Sequence, residues 1–373
     1  MRFTNISHCK IKILSSKSRV TFLISIMLLV GAAGAAGLAY SQEARNRGPQ
    51  NATPGTARQD RNSNSGEVHV LPVQGNISML IGAGGNITVQ AGDEGILLVD
   101  AGVATMSDKV LDAIRPLSKR PLAYIIDTDD REDHVGGNEN VRKGGRPVLN
   151  GAGAGQFLGD GSRAASAYII AFDTILQRMS APTGQTASVP EDAWPNDTYA
   201  EPQKNLYFNG EGVSIFHQPA TTDGNSMVFF RRSDVISTGD IFDPTEYPII
   251  DVKSGGSIQG VIEGLNRLKL MAIPADHRNS QQGGTLIIPG HGRLCAYADL
   301  AVYQQMVTIL RDRIQYMIKS GMTLEQVKAA KPTRDYDPIY GSTAGNWTTD
   351  MFVEAAYKSL SAPKKTQESH ESN

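Results

Sequence analysis

From Val68 onward, short apolar runs alternate with turn signals. His69-Val-Leu-Pro-Val, Ile77-Ser-Met-Leu-Ile, Ile87-Thr-Val-Gln-Ala and Gly95-Ile-Leu-Leu-Val-Asp100 are rich in Val, Ile and Leu. Gln74-Gly-Asn76, Gly82-Ala-Gly-Gly-Asn86 and Ala91-Gly-Asp-Glu-Gly95 separate them. Short β-branched runs bounded by Gly and Asn predict consecutive antiparallel strands. The period then changes. Val110, Leu111, Ile114 and Leu117 recur at helical steps, which predicts a helix over 106–117, closed by Pro116 and Pro121. Pro121-Leu-Ala-Tyr-Ile-Ile-Asp127 is again strand-like.

The rest repeats this grammar. Pro147-Val-Leu-Asn predicts a short strand. Ile169, Phe172, Leu176 and Met179 predict a helix over 162–180. Residues 181–204 carry four prolines and little periodicity, so a long surface loop is expected, with Trp194 in it. A hairpin follows at Leu206-Tyr-Phe and Gly212-Val-Ser-Ile-Phe-His217, then strands at 227–230 and 235–238, a helix over 258–270, and a strand entering Pro289-Gly-His-Gly292. Leu300, Tyr303, Val307, Leu310, Ile314 and Met317 predict one long amphipathic helix over 297–319. Shorter helices are expected at 324–330 and 351–360. No internal repeat of fixed period is visible, although two β-then-α halves are.

One stretch stands out chemically. Thr128-Asp-Asp-Arg-Glu-Asp-His-Val-Gly-Gly-Asn138 follows the 121–127 strand, and five consecutive charged residues, Asp129 to Asp133, lead into His134. Further on, Thr238-Gly-Asp240 and Pro289-Gly-His-Gly292 also follow strands, and Thr221-Thr-Asp-Gly-Asn-Ser226 lies between two. In this order, and over about residues 68–360, these segments resemble the metallo-β-lactamase superfamily, whose signature is Thr-His-x-His-x-Asp-His followed by x-Gly-Gly-Asn. The resemblance implies an α/β (α+β) fold, a four-layer αββα metallo-β-lactamase sandwich.

The resemblance also carries over residue by residue. Of its two metal sites, the first would use the positions of Asp129, Arg131 and Thr221, none of which is histidine here. A guanidinium stays protonated and has no free lone pair, so Arg131 cannot be a ligand. The second would use Asp133, His134, Asp240 and His291, all present. The resemblance therefore implies one divalent metal. Zn²⁺ is the expected ion, with Fe²⁺ and Mn²⁺ as alternatives, since two imidazoles and two carboxylates do not choose among them. A rebuilt two-metal site could recruit Asp129 or His217. Tyr247-Pro-Ile-Ile-Asp251 resembles the segment beside the pocket mouth, so Tyr247 and Asp251 are expected to line it. His69, His277 and His370 match no motif and are expected at the surface or in packing.

Two functions remain open on these residues. In a one-metal hydrolase of ester, lactone or β-lactam-like amide bonds, Asp133 would orient or deprotonate a water and Arg131 would hold an anionic group of a small-molecule substrate. In a non-catalytic binding protein, Arg131 would replace a metal by neutralising Asp129, Asp133 or Asp240. A persulfide dioxygenase is disfavoured, because that branch takes its iron ligands from first-site histidines.

The N-terminus adds a destination. Residues 1–19 hold five basic residues and no acid, 20–40 are nearly all apolar, and Ala39-Tyr40-Ser41 fits a small-x-small cleavage rule. The expectation is a signal peptide over 1–41 and export to the periplasm or beyond, with membrane association if the segment stays uncleaved. A polar linker over 42–66, a domain over 67–362 and a polar tail over 363–373 complete the division. A net charge of −2 gives no general attraction to nucleic acid. Cys9 lies in the leader, so Cys295 is the one thiol expected in the mature chain, with no internal disulfide.

Overall fold

The computed structural model describes residues 66–145, 166–181, 185–275 and 283–362. All belong to one compact unit, Ala57–Asn373. The leader, most of the linker, the 147–150 strand, His277, His370 and the tail lie outside the described residues.

Thirteen strands form two sheets among the described residues. The first runs in chain order: β1 (His69–Gln74), β2 (Ile77–Ala83), β3 (Gly85–Ala91), β4 (Ile96–Val99), β5 (Leu122–Ile126), β6 (Tyr168–Phe172) and β7 (Asp197–Tyr199). The second holds β8 (Gln203–Phe208), β9 (Glu211–His217), β10 (Ser226–Phe230), β11 (Val235–Ser237), β12 (Leu286–Ile288) and β13 (Cys295–Ala296), in spatial order β13-β12-β11-β10-β9-β8.

The layering follows from alternation along doubly buried strands. In β4, Leu97 and Val99 enter a core shared with Val213, Ile215, Val228 and Ile288 of the second sheet. Ile96 and Leu98 turn the other way, onto Val110 and Ile114 of helix α1 (Ser107–Ile114). Helices α2 (Glu132–Val135), α3 (Asn138–Lys143) and α4 (Asp173–Met179) follow on that half of the chain. On the second sheet, Met227, Ile236 and Ile287 face α5 (Ile258–Met271), α6 (Tyr297–Lys319) and the later helices. These are α7 (Leu324–Ala330), α8 (Asp337–Tyr340) and α9 (Thr349–Ser361). Helix, sheet, sheet and helix form the expected four layers. The predicted long helix over 297–319 is α6 at the same limits.

Two expectations fail. The predicted helix over 162–180 is, where described, a strand followed by a short helix, β6 and α4. Tyr168-Ile-Ile-Ala-Phe172 is a continuous apolar, β-branched run. It pairs in parallel with both β5 and β7, and Ile169 and Ile170 are buried on opposite faces. Two-sided burial erases the period that separates strand from helix. The second failure is the 181–204 loop, which contains β7 and a 3₁₀ turn at Glu191–Ala193. Trp194 packs locally there, its Nε1 donating to Val189 O at 3.1 Å.

Strand direction gathers the motif segments. β11 and β12 are parallel, so 238–240 and 289–292 leave by the same edge. β9 runs antiparallel to β10, which runs antiparallel to β11, so the 218–225 loop leaves by that edge too. Cross-sheet bonds bring the first sheet's loop to it: Ser226 N donates to Thr128 O at 3.0 Å, and Asn86 N to Gly290 O at 2.8 Å.

Candidate metal centre

His134 is buried and oriented from behind. Its Nδ1 lies 2.8 Å from Asp100 Oδ2. A carboxylate cannot donate, so Nδ1 carries the proton and Nε2 is left facing the cluster. Asp100 is itself fixed by the Thr128 backbone N–H at 2.8 Å and by the Thr128 hydroxyl. Burial opposes a charged imidazole here, but Asp100 and Asp240 outweigh it and push the His134 pKa well above its usual value.

Asp133, His134 and His291 each present a donor atom, all within 4.8 Å of one another. His291 Nε2 is 3.0 Å from Asp133 Oδ2. Burial works against the Asp133 charge, yet its hydrogen bond with His291 and the neighbouring His134 hold its pKa far below the ordinary carboxylate range. Asp240 divides its carboxylate. Oδ1 lies 3.3 Å from His134 Nε2 and 3.0 Å from His291 Nδ1, while Oδ2 lies 2.6 Å from Arg131 Nη2. A second carboxylate, Asp243, reaches to 3.7 Å from His291 Nδ1. Two glycines make room. Gly239 adopts φ +50°, and a Cβ there would lie 2.3 Å from Thr128 Oγ1; a Cβ on Gly290 would lie 2.0 Å from Asp240 Oδ1.

Next to this set, the positions without histidine form a network of their own. Arg131 Nη2 lies 2.9 Å from Asp129 Oδ2 as well as 2.6 Å from Asp240, and it donates to Thr221 Oγ1 at 3.3 Å. Asn225 Nδ2 donates to Asp129 Oδ2 at 2.9 Å, and Thr221 Oγ1 donates to Asn225 Oδ1 at 3.0 Å. Asp129 is fully buried; burial favours its neutral form, but Arg131 overrides this and lowers its pKa. Arg131 therefore enters the cluster and spends its fork on the protein's own carboxylates.

The donor chemistry fits a divalent ion. Asp133, His134 and His291 offer a carboxylate and two imidazoles, and His134 Nε2 is buried without a well-directed hydrogen bond. A buried ring nitrogen left in that state is costly unless an ion, or a proton facing Asp240, takes it up.

Several expected site residues sit elsewhere. Tyr247 is a core residue: its ring stacks on Phe352 at 4.6 Å and its hydroxyl donates to Asp337 Oδ1 at 2.9 Å. Asp251 turns its carboxylate onto the N–H of Lys253 and the hydroxyl of Ser254, at 2.9 and 2.7 Å, and so shapes its own turn. Neither lines the cluster. His217 stacks on Phe172 at 3.4 Å and donates to Asp223 O at 2.7 Å, outside the metal set. His69 is exposed. Asp100, Asn225 and Asp243 went unread in the sequence, because an Asp at a strand end or an Asn in a turn has an ordinary local explanation.

No protein-family model and no curated protein sequence matches the chain. Solved structures do. The stereoselective inverting sec-alkylsulfatase Pisa1 from Pseudomonas sp., which belongs to the metallo-β-lactamase superfamily, matches with a TM-score of 0.56 at 14% identity, over 78% of this chain and 50% of that one. A double mutant of the same sulfatase matches with a TM-score of 0.55 at 13% identity, over the same shares. The chain has the metallo-β-lactamase fold. It spans about half the length of the alkylsulfatase chains it matches. A metallo-β-lactamase from Pontibacter korlensis overlaps with a TM-score of 0.46 at 14% identity, over 65% of this chain and 99% of that one.

Proposed function

We propose that this protein is an exported hydrolase with a single divalent metal site formed by Asp133, His134, His291 and Asp240. Arg131 stands where a second ion would sit in a two-metal relative. The observation that carries the reading is the gathering of donor atoms from Asp133, His134 and His291 within 4.8 Å of one another, beside an Asp240 whose Oδ1 lies 3.3 Å from His134 Nε2 and whose Oδ2 is held by Arg131. The alkylsulfatase neighbours, hydrolases by name, are consistent with hydrolysis.

An ion at this site, with Zn²⁺ the first expectation, supplies Lewis acidity and lowers the pKa of water toward about 7. Asp133 presents a carboxylate oxygen 3.0 Å from His291 Nε2. Its part is to orient a water through an oxygen atom. Arg131 serves as a fixed positive charge beside Asp240, and its pairing with two protein carboxylates leaves the substrate-anchor role less room. The substrate is a small molecule with an ester, lactone or β-lactam-like amide bond.

A second reading has one observation in its favour. Arg131 pairs with both Asp129 and Asp240, so the protein's own cation neutralises these acids, which suits a non-catalytic binding protein of the same fold. Metal analysis of protein purified without chelator, with a panel of chromogenic esters, lactones and β-lactams, separates the two. One ion per chain and chelator-sensitive turnover support the hydrolase; a metal-free, inert protein sinks it. Export has its own test: mass spectrometry should find a mature N-terminus near Gln42, and an intact residue 1 would point to an anchor instead. Among the described residues no helix is long and apolar enough to cross a membrane; the apolar run at 20–40 lies outside them.

A further inference from the structure

We propose that Arg178, on α4, is a positioning residue that keeps the Arg131 network closed by clamping together the two loops that build it. The proposal rests on the reading of Arg131 as a stand-in cation and adds the device that holds it there.

Arg178 makes a bidentate fork with Asp130, Nε to Oδ2 at 2.8 Å and Nη2 to Oδ1 at 2.9 Å. Its third nitrogen, Nη1, donates to Asp223 Oδ1. Asp130 lies between Asp129 and Arg131, and its N–H donates to Asp129 Oδ1 at 2.7 Å. Asp223 lies between Thr221 and Asn225, the two partners that complete the inner network. One guanidinium therefore grips the middle residue of both segments, while the flanking residues of each meet around Arg131. Planar two-point pairing gives such a grip direction as well as charge.

The clamp is anchored. Ile175 and Met179 bury α4 in an apolar cluster with Val135, Ala171 and Ala193. The turn is seated directly on the helix: a Cβ on Gly224 would lie 2.7 Å from Arg178 Nη2 and 2.9 Å from Ile175 Cγ1. Asp223 is also held through its backbone, its N–H donating to Ser254 O at 2.8 Å and its carbonyl accepting from His217. Among the described residues, the 221–225 turn meets α4 through this ion pair and through the packing of Gly224 against Thr174, Ile175 and Arg178. Loss of Arg178 should let the 221–225 turn lift, release Asp129 from Asn225, and slacken Arg131 on Asp240 Oδ2. Asp240 would then be freer to serve an ion, in the direction that removal of Arg131 itself gives.

The test has two arms, on the full chain. In chelator, hydrogen exchange should quicken in peptides covering 128–131 and 221–225 in Arg178→Gln, and at 221–225 in the milder, partly exposed Asp223→Asn, with β10 and β11 unchanged. In Co²⁺ titrations, Arg178→Gln should shift the dissociation constant the same way as Arg131→Gln, by at least about twofold, the lower edge of couplings within one network. It should add nothing in an Arg131→Gln background. A Co²⁺ affinity equal to wild type, or an equal shift in both backgrounds, overturns the positioning role, since a purely structural residue would act additively. If wild-type protein takes no Co²⁺, the one-metal reading falls, and the exchange arm decides the clamp alone: unchanged exchange in both loops overturns it.

Discussion

Arg131→Ala removes one side chain and leaves two buried acids facing each other. Asp129 and Asp240 are both almost fully buried and both lose their closest cation, at 2.9 and 2.6 Å. Breaking a buried ion pair by deleting one partner costs about 3–5 kcal/mol. The low end applies here for two reasons. Arg131 is partly exposed, so solvent screens some of the loss. Asp129 also keeps Asn225 Nδ2 and the Asp130 N–H, and Asp240 keeps the two histidines. A loss of about 3 kcal/mol is expected, which for a domain of this size lowers the melting temperature by roughly 5 °C. The assay is calorimetry in chelator and again with excess Zn²⁺. The variant should recover part of its loss with Zn²⁺, because the ion supplies the charge that was removed. An unchanged melting temperature in chelator would refute the reasoning, and a loss that Zn²⁺ leaves untouched would refute the surrogate-cation part of it.

Three further outcomes are expected. Purified mature protein should hold one tightly bound divalent ion per chain at most, and His291→Ala or Asp133→Ala should abolish it in elemental analysis; two tight ions would contradict the division of Asp240. Metal affinity should strengthen as pH rises, because an ion at Nε2 must displace the proton that Asp100 and Asp240 hold on His134 with a pKa well above 6.5. In chelated protein the sign reverses: the His134 charge pairing is complete below about pH 6.5 and is lost as pH climbs through the raised folded pKa. Zn²⁺-induced melting shifts at about pH 6 and about pH 8 check this, and a larger shift at the lower pH refutes it. Gly290→Ala should cost metal binding while circular dichroism stays native, since the new Cβ would lie 2.0 Å from Asp240 Oδ1; intact binding would show that Asp240 is no ligand.

The sequence by itself determined the two β-then-α halves, the long α6 helix and the ordered motif segments that carry Asp133, His134, Asp240 and His291. Those signals are local. A strand buried on one face or a helix with one apolar stripe writes its period into consecutive residues. Where burial is two-sided, as in β6, the period vanishes and a strand reads like the helix that follows it. The tertiary structure alone decided what Arg131 touches, that Asp100 turns Nε2 of His134 inward, that Tyr247 belongs to the core, and that Arg178 joins two loops. Arg131 and Thr221 are 90 residues apart, Asn225 and Asp129 are 96 apart, and Arg178 and Asp130 are 48 apart. Such pairs exist because strand direction and the stacking of two sheets bring several loop exits to one edge. That is a property of how strands pair, and no short stretch of residues encodes it.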